Sequence, residues 1–307
     1  MRSYTKFNRW ISQEHRSWQF EIFRQYNKEL TNMLISFNAS QSYTYTSLTN
    51  SGAQFISKAD DYFHFKDHRH IGTFKTIQNW SDTHNELNKW IYLNALVSLT
   101  SNFEIYISSI IKISLDSDPG TIIGAPKSID GMHLKKYNKH KIEHDQYVLG
   151  CVKGTWLSRI NNLEKVFNSS FPIIRDNLKH LERIRNTRND VAHAFGRSLK
   201  DIENYEVVNS YSLPRMTYER LIKYQSLIFK IVETLDEYLL RNHIGQYQLL
   251  LYYSQWRIKN YPNYSFSFNN LQMQYYGANF RKDFGKFREI ATTKNFVKEL
   301  ISYYENL

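Results

Sequence analysis

The sequence predicts an all-α fold, and three observations predict it. Only 11 glycines and 5 prolines interrupt 307 residues, too few breakers for many short strands and tight turns. Apolar residues recur every three to four positions through several long segments, the period of a helix with one buried face. No segment alternates apolar and polar residues cleanly enough to demand a strand. The composition, 41% hydrophobic and 22% charged, is that of a folded chain. The length suffices for one large core or two modest ones, and no internal repeat is visible.

Residues 4–37 read as the first helix, because Trp10, Ile11, Trp18, Ile22, Tyr26, Leu30 and Met33 recur at helical spacing. Residues 38–57, rich in Ser, Thr and Asn, read as a loop. The segment 60–80 fits neither pattern. A strong helix follows from about Asp82 to Leu115, with Leu93, Leu96, Val97, Phe103, Ile107, Ile110 and Ile111 as its apolar stripe. Asp116–Gly120 stops it. Residues 116–150 read as a long connection containing Gly, Pro, Lys and His, of the length that is usually functional or disordered.

Thr155 caps a helix of about 156–168. Pro172 opens the next, at a position where proline is tolerated, and it runs towards Arg185 with Ile174, Leu178, Leu181 and Ile184 inward. Residues 187–196 extend it or start a new turn, and Gly196 ends it. Pro214 and Thr217 open a helix of about 216–241 whose stripe is Leu221, Tyr224, Ile228, Ile231, Val232, Leu235 and Leu239. Gly245 closes it. The tail, 246–307, is Tyr-rich and carries a helix at 293–306.

The balance of 40 Lys and Arg against 29 Asp and Glu gives a formal charge of +11, a field that attracts polyanions, nucleic acid being the commonest large one. The 23 tyrosines and 19 phenylalanines mostly belong to the core, although aromatic rings beside basic residues also stack on unpaired bases. A single cysteine, Cys151, allows no disulfide within the chain and suits a reducing cytoplasm. The first residues have no signal-peptide core, and no apolar run is long enough for a membrane span. There is no Gly-x-Gly-x-x-Gly and no Gly-x4-Gly-Lys-Ser/Thr, which excludes the common nucleotide-hydrolysing motors.

Chemistry concentrates in Leu181–Gly196. On a continuous helix Ile184, Arg188, Val191 and Phe195 share one stripe, which sets an arginine on an apolar face. An unpaired buried cation costs several kcal/mol, of the order of the buried-ion penalty. Arg188 therefore needs an anionic partner, or lines a cleft that receives one. Glu104, on the helix 82–115, is the candidate for a plain salt bridge. His193 follows Arg188 by five residues, about 140° around a helix at roughly 100° per residue, so the two do not share a face. They converge if the helix breaks near Asn189, or if two copies meet across a two-fold axis.

Arginine matches phosphate with a two-pronged, permanently charged fork. Histidine gives or takes a proton near neutral pH. RNA supplies its own nucleophile, the 2′-hydroxyl, so this pair fits metal-free cleavage of RNA, with a 2′,3′-cyclic phosphate and a 5′-hydroxyl as the expected products. The segment Arg188-Asn189-Asp190-Val191-Ala192-His193, with its flanking Leu-x-x-Ile-Arg-Asn and trailing Ala-Phe-Gly, resembles the Arg-x4–6-His motif of HEPN ribonucleases, in which a polar residue follows the arginine. The apolar helix 82–115 with its acidic Glu104, and the long helix after the motif, resemble the rest of that bundle over roughly residues 82–245.

The resemblance implies a HEPN-like helical domain at 81–245, with an N-terminal helical extension (1–80) and a C-terminal one (246–307). It implies a homodimer whose two motifs form one composite site, with no cofactor and no metal. In that site Arg188 orients the phosphate, His193 is the acid and base, Asn189 positions one of them or the RNA, and Asp190 tunes His193 or caps a helix. Glu104 and Arg185 support them. The implied substrate is tRNA or mRNA, and the implied setting a toxin–antitoxin or antiviral system with an antitoxin or activating partner. Some members keep the fold and only bind RNA or partners.

Three other constellations point elsewhere. His140-Lys141-Ile142-Glu143-His144 matches the His-x-x-Glu-His pattern of inverted zinc peptidases, although a solvated basic segment explains it as well. His64, His68 and His70 invite a metal reading, but without a second cluster they read as surface histidines. Cys151 has no neighbours in sequence that would activate it, and burial is the usual fate of such a residue.

Overall fold

The computed structural model describes residues 6–64, 67–137, 143–192, 215–261, 270–285 and 293–307, with backbone alone at 192 and 270–274. Every regular element among them is helical. The helices are α1 (Trp18–Asn50), α2 (Ile77–Ser117), α3 (Gly131–Lys136), α4 (Asp145–Val152), α5 (Trp156–Phe167) and α6 (Pro172–Asp176), then α7 (Leu178–Ala192), α8 (Tyr218–Leu239), α9 (Tyr247–Asn260), α10 (Asn270–Phe284) and α11 (Lys294–Asn306). The expected all-α class holds.

The chain divides into two compact units. One comprises residues 22–105 and 177–230, and the other 1–21, 106–176 and 231–307. In the first, α1 and α2 are tied by an amide of Asn102 donating to the Phe23 carbonyl at 3.3 Å, by a Tyr26 Oη–Ser98 Oγ contact at 2.7 Å, and by Tyr92 donating to Asn38 Oδ1 at 2.8 Å. These pairs run in opposite directions along the two helices, so α1 and α2 are antiparallel. Leu30, Leu34, Leu93, Leu96, Leu99 and Phe103 fill the core between them, with Leu181, Ile184, Leu221 and Ile228 from α7 and α8.

In the second unit a buried arginine near the start of the chain ties distant segments together. Arg9 is 4% exposed. Its Nε donates to both oxygens of Asp130 (3.0 and 3.2 Å), Nη1 to the Ile244 carbonyl (2.9 Å) and Nη2 to Ser117. Its Cζ lies 4.4 Å from the centroid of the Trp10 ring. A buried cation persists because its fork is filled on all sides. Asp236, also buried, accepts from the Ser17 backbone amide at 2.9 Å, from the Ser17 hydroxyl and from Tyr106 Oη at 3.2 Å. Burial still holds its carboxyl above the ordinary range.

Four sequence expectations need correction. The first helix does not begin at residue 4; residues 6–17 run as turns and bends up to Trp18. It does not end at 37 either, because α1 continues through the Ser/Thr stretch to Asn50. The hydroxyls of Ser40, Thr44 and Thr49 bond back to carbonyls four residues earlier at 2.9–3.0 Å. Tyr45 Oη meets Ser81 Oγ at 2.9 Å, and Leu48 packs with Ala59 and Ile77. Tertiary anchorage overrides weak local propensity here.

The apolar stripe expected on the first helix is mostly left uncovered, with Leu30 its one buried member. Trp18, Ile22, Tyr26 and Met33 are exposed, while Phe20, Phe23, Asn27, Leu30 and Leu34 are buried. Finally, the connection 116–150 is not a structureless loop: it contains a 3-10 turn (Pro119–Ile123), α3 and α4.

Candidate nuclease site

Helix α7 carries the motif. Its buried side is Leu181, Ile184 and Val191, all 4% exposed or less, and this spacing fixes where the polar residues between them point. The helix is continuous through Asn189 to Ala192, so it does not break near Asn189 to bring Arg188 and His193 together. His193 lies outside the described residues.

Arg188 meets the carboxylate anticipated for it. Its Nη2 donates to Glu104 Oε2 at 3.0 Å, and its Nη1 to Asn189 Oδ1 at 3.1 Å. The side chains of Arg188 and Glu104 are 30% and 29% exposed. The guanidinium is therefore held in place from two sides and still reaches solvent. An arginine has five N–H donors in a planar fork, and the two bonds occupy one on each terminal nitrogen. The pair is too wet to stabilise the fold by more than about 1 kcal/mol. Its consequence is geometric: it fixes the direction of a permanent positive charge.

Arg185, one turn earlier, is turned to other partners. Its Nε donates to Glu182 Oε1 at 2.9 Å and its Nη2 to Asn186 Oδ1 at 2.9 Å. The Glu182 carboxylate holds its guanidinium pKa above the usual value, so it stays charged. Asp190 is exposed. Of the residues expected in the site, the structure thus joins Arg188, Asn189 and Glu104, while Arg185 bonds Glu182 and Asn186 instead and Asp190 is exposed.

The rival constellations gain no support. His140 lies outside the described residues; Glu143 is exposed while His144 is buried, with its Nε2 3.3 Å from Asp116 Oδ1. His64, His68 and His70 are exposed. Among the described residues no group of three or more His, Cys, Asp or Glu is placed to hold a metal ion. Burial pushes the Cys151 thiol up to about 12, where it is no nucleophile at neutral pH.

One pair escaped the sequence reading. His243, in a π-helical turn (Leu240–Ile244), sets Nδ1 2.9 Å from Asp118 Oδ2. Asp118 Oδ1 accepts from the Lys127 amide at 2.7 Å, and Thr121 Oγ1 is 3.2 Å from the same imidazole nitrogen. The Phe167 ring lies 4.9 Å from the imidazole. A carboxylate orienting an imidazole is the beginning of a general base. Here, however, His243 Nε2 is buried without a hydrogen-bond partner, and the one hydroxyl bonded to the ring sits on the other nitrogen. The pair is closed to substrate and acts as a structural clamp between the end of α2 and the turn after α8. No local pattern marks it, because its members are 125 residues apart.

No known protein family matches the chain, and no curated protein or solved structure matches it either.

Proposed function

We propose that this protein is a metal-independent endoribonuclease of HEPN type, cutting tRNA or mRNA in the cytoplasm as a toxin or antiviral effector. What supports the reading is Arg188: a cation on a helix with one buried side, aimed by Glu104 and Asn189 yet open to solvent, five residues before a histidine. In the reaction Arg188 binds the scissile phosphate. The imidazole of His193 takes the 2′-hydroxyl proton as the 2′-oxygen attacks phosphorus. The phosphorus–5′-oxygen bond breaks, the 5′-oxygen leaves with a proton, and the 2′,3′-cyclic phosphate remains. A second copy, bringing its own motif across a two-fold, completes the site. An antitoxin or activating partner restrains or triggers it.

The same ion pair favours one competing reading. An arginine already matched to a carboxylate needs no phosphate, so the bundle also suits an RNA- or partner-binding module without catalysis. Substitution of His193 separates the two: a nuclease loses cutting and keeps RNA affinity, whereas a binding module has no cutting to lose.

A further inference from the structure

The turns at the start of the chain and the end of α8 enclose a cleft that the nuclease reading does not use. Its volume is about 210 Å³, below the roughly 300–1,000 Å³ of sites for drug-sized ligands, so it suits a molecule the size of an amino acid. Ser12, Gln13, Glu14 and His15 line one side. Glu237, Leu240 and Arg241 line the other. Both sides belong to the same compact unit.

The first of these walls is held at both ends. The Gln246 side-chain amide donates to the Ile11 carbonyl at 2.8 Å, and the Ser17 backbone amide donates to Asp236 at 2.9 Å. Between them the Ser12 hydroxyl accepts from the Glu14 amide at 3.0 Å. The wall is thus formed before any ligand arrives, which lowers the entropy lost on binding.

One group in it is unsatisfied. Gln13 is 5% exposed, and its Nε2 is buried without a hydrogen-bond partner. Buried side-chain donors almost always have an acceptor, so this amide calls for one from outside the chain. The charges around it are of both signs. Glu14 and Glu237 supply carboxylates, and the last carbonyls of α8 add partial negative charge. Arg241 supplies a guanidinium, bonded to Glu237 at 2.9 Å through Nη2.

This mixture removes the simpler occupants. An RNA strand or a lone phosphate sets its charge against two carboxylates. A bare cation offers Gln13 no acceptor, and among the described residues no three His, Cys, Asp or Glu are placed to hold a metal ion. An apolar molecule leaves the polar groups unmet.

We infer that the cleft binds a small zwitterion, a free α-amino acid. Its ammonium meets Glu14 and Glu237. Its carboxylate accepts from the Gln13 amide and from the Arg241 fork. Leu240, 2% exposed, packs against its side chain.

The test is isothermal calorimetry on the full chain at millimolar ligand. The standard free amino acids are titrated singly, beside ethylamine and propionate, which carry one of the two charges each. At least one amino acid is expected to bind, and neither half-ligand. Gln13→Leu and Glu14→Gln are each expected to weaken that binding about tenfold or more, with unchanged helical circular dichroism. Glu14 is only partly buried, so its variant still reports binding if Gln13→Leu fails to fold. The inference is overturned if no amino acid binds, if ethylamine or propionate binds as tightly, or if affinity survives Glu14→Gln. RNA cutting is not part of this readout, so failure here leaves the nuclease assignment of Arg188 and His193 to its own test.

Discussion

The Arg188 guanidinium stands 3.0 Å from the Glu104 carboxylate although the two residues are 84 positions apart in the chain. The pair is half open to water, so its stabilising effect is small and its orienting effect is what remains. Glu104→Gln should shift the denaturant midpoint by less than about 1 kcal/mol equivalent, while RNA cutting falls about tenfold as the guanidinium loses its aim. Parallel urea melts and cleavage rates check this. A variant that loses several kcal/mol, or cuts at the wild-type rate, would show that the pair is a structural bridge alone.

Arg188→Lys keeps the charge and loses the fork. Asn189 Oδ1 and Glu104 Oε2 are met by two different terminal nitrogens, which one ammonium cannot reproduce with the same reach. Cutting is expected to drop about a hundredfold, of the order seen when one preorganised donor to a developing charge is removed. RNA affinity should stay within a few fold. Single-turnover cleavage and filter binding separate the two quantities.

His84 makes the first unit sensitive to acid. Its ring stacks on Trp80 with centroids 5.0 Å apart and on Phe37 at 6.1 Å, and its buried Nε2 has no hydrogen-bond partner. Burial lowers its pKa below the ordinary imidazole value. A group depressed in the folded state adds stability above its unfolded pKa, near 6.5, and that stability is lost as pH falls through the folded value. The melting temperature should therefore drop between pH 7.5 and 5. His84→Phe should reduce that drop, and calorimetry at the two pH values measures it.

Asp118 and His243 predict a large effect far from the motif. The carboxylate is fully buried and uses both oxygens. Removing the imidazole leaves one of its oxygens without a donor in the buried site, at a cost of about 3 kcal/mol. His243→Ala is expected to lower stability by that amount in urea. Asp118→Asn with His243→Gln, which keeps a hydrogen bond and no charge, is expected to recover about half.

Much of this architecture was legible because its signals are local. Thr155 accepts from the Ser158 amide and Thr293 from the Phe296 amide, so both caps stand where short-range chemistry sets them, and the helix expected at 293–306 is α11. The partner of Arg188 was legible too, since an arginine among apolar neighbours demands an anion and Glu104 is the acidic residue within the apolar stretch Trp90–Leu115. What failed was long range. The Ser/Thr stretch 38–50 is helical because Tyr45 and Leu48 find partners 29 to 36 positions away. Periodicity found the α1 stripe but could not say which of its two apolar sides is covered. The buried Arg9 and the Asp118–His243 pair join segments more than 100 residues apart, beyond any window of pattern.

The central claim is tested most directly by incubating the full-length protein with total tRNA and a long single-stranded RNA in excess EDTA, beside His193→Ala and Arg188→Ala. The account predicts that only the wild type cuts, leaving 2′,3′-cyclic phosphate and 5′-hydroxyl ends, while both variants keep the wild-type melting temperature within a few degrees. Cutting that survives His193→Ala, or that EDTA abolishes, would contradict it, as would a wild type that binds both RNAs and cuts neither.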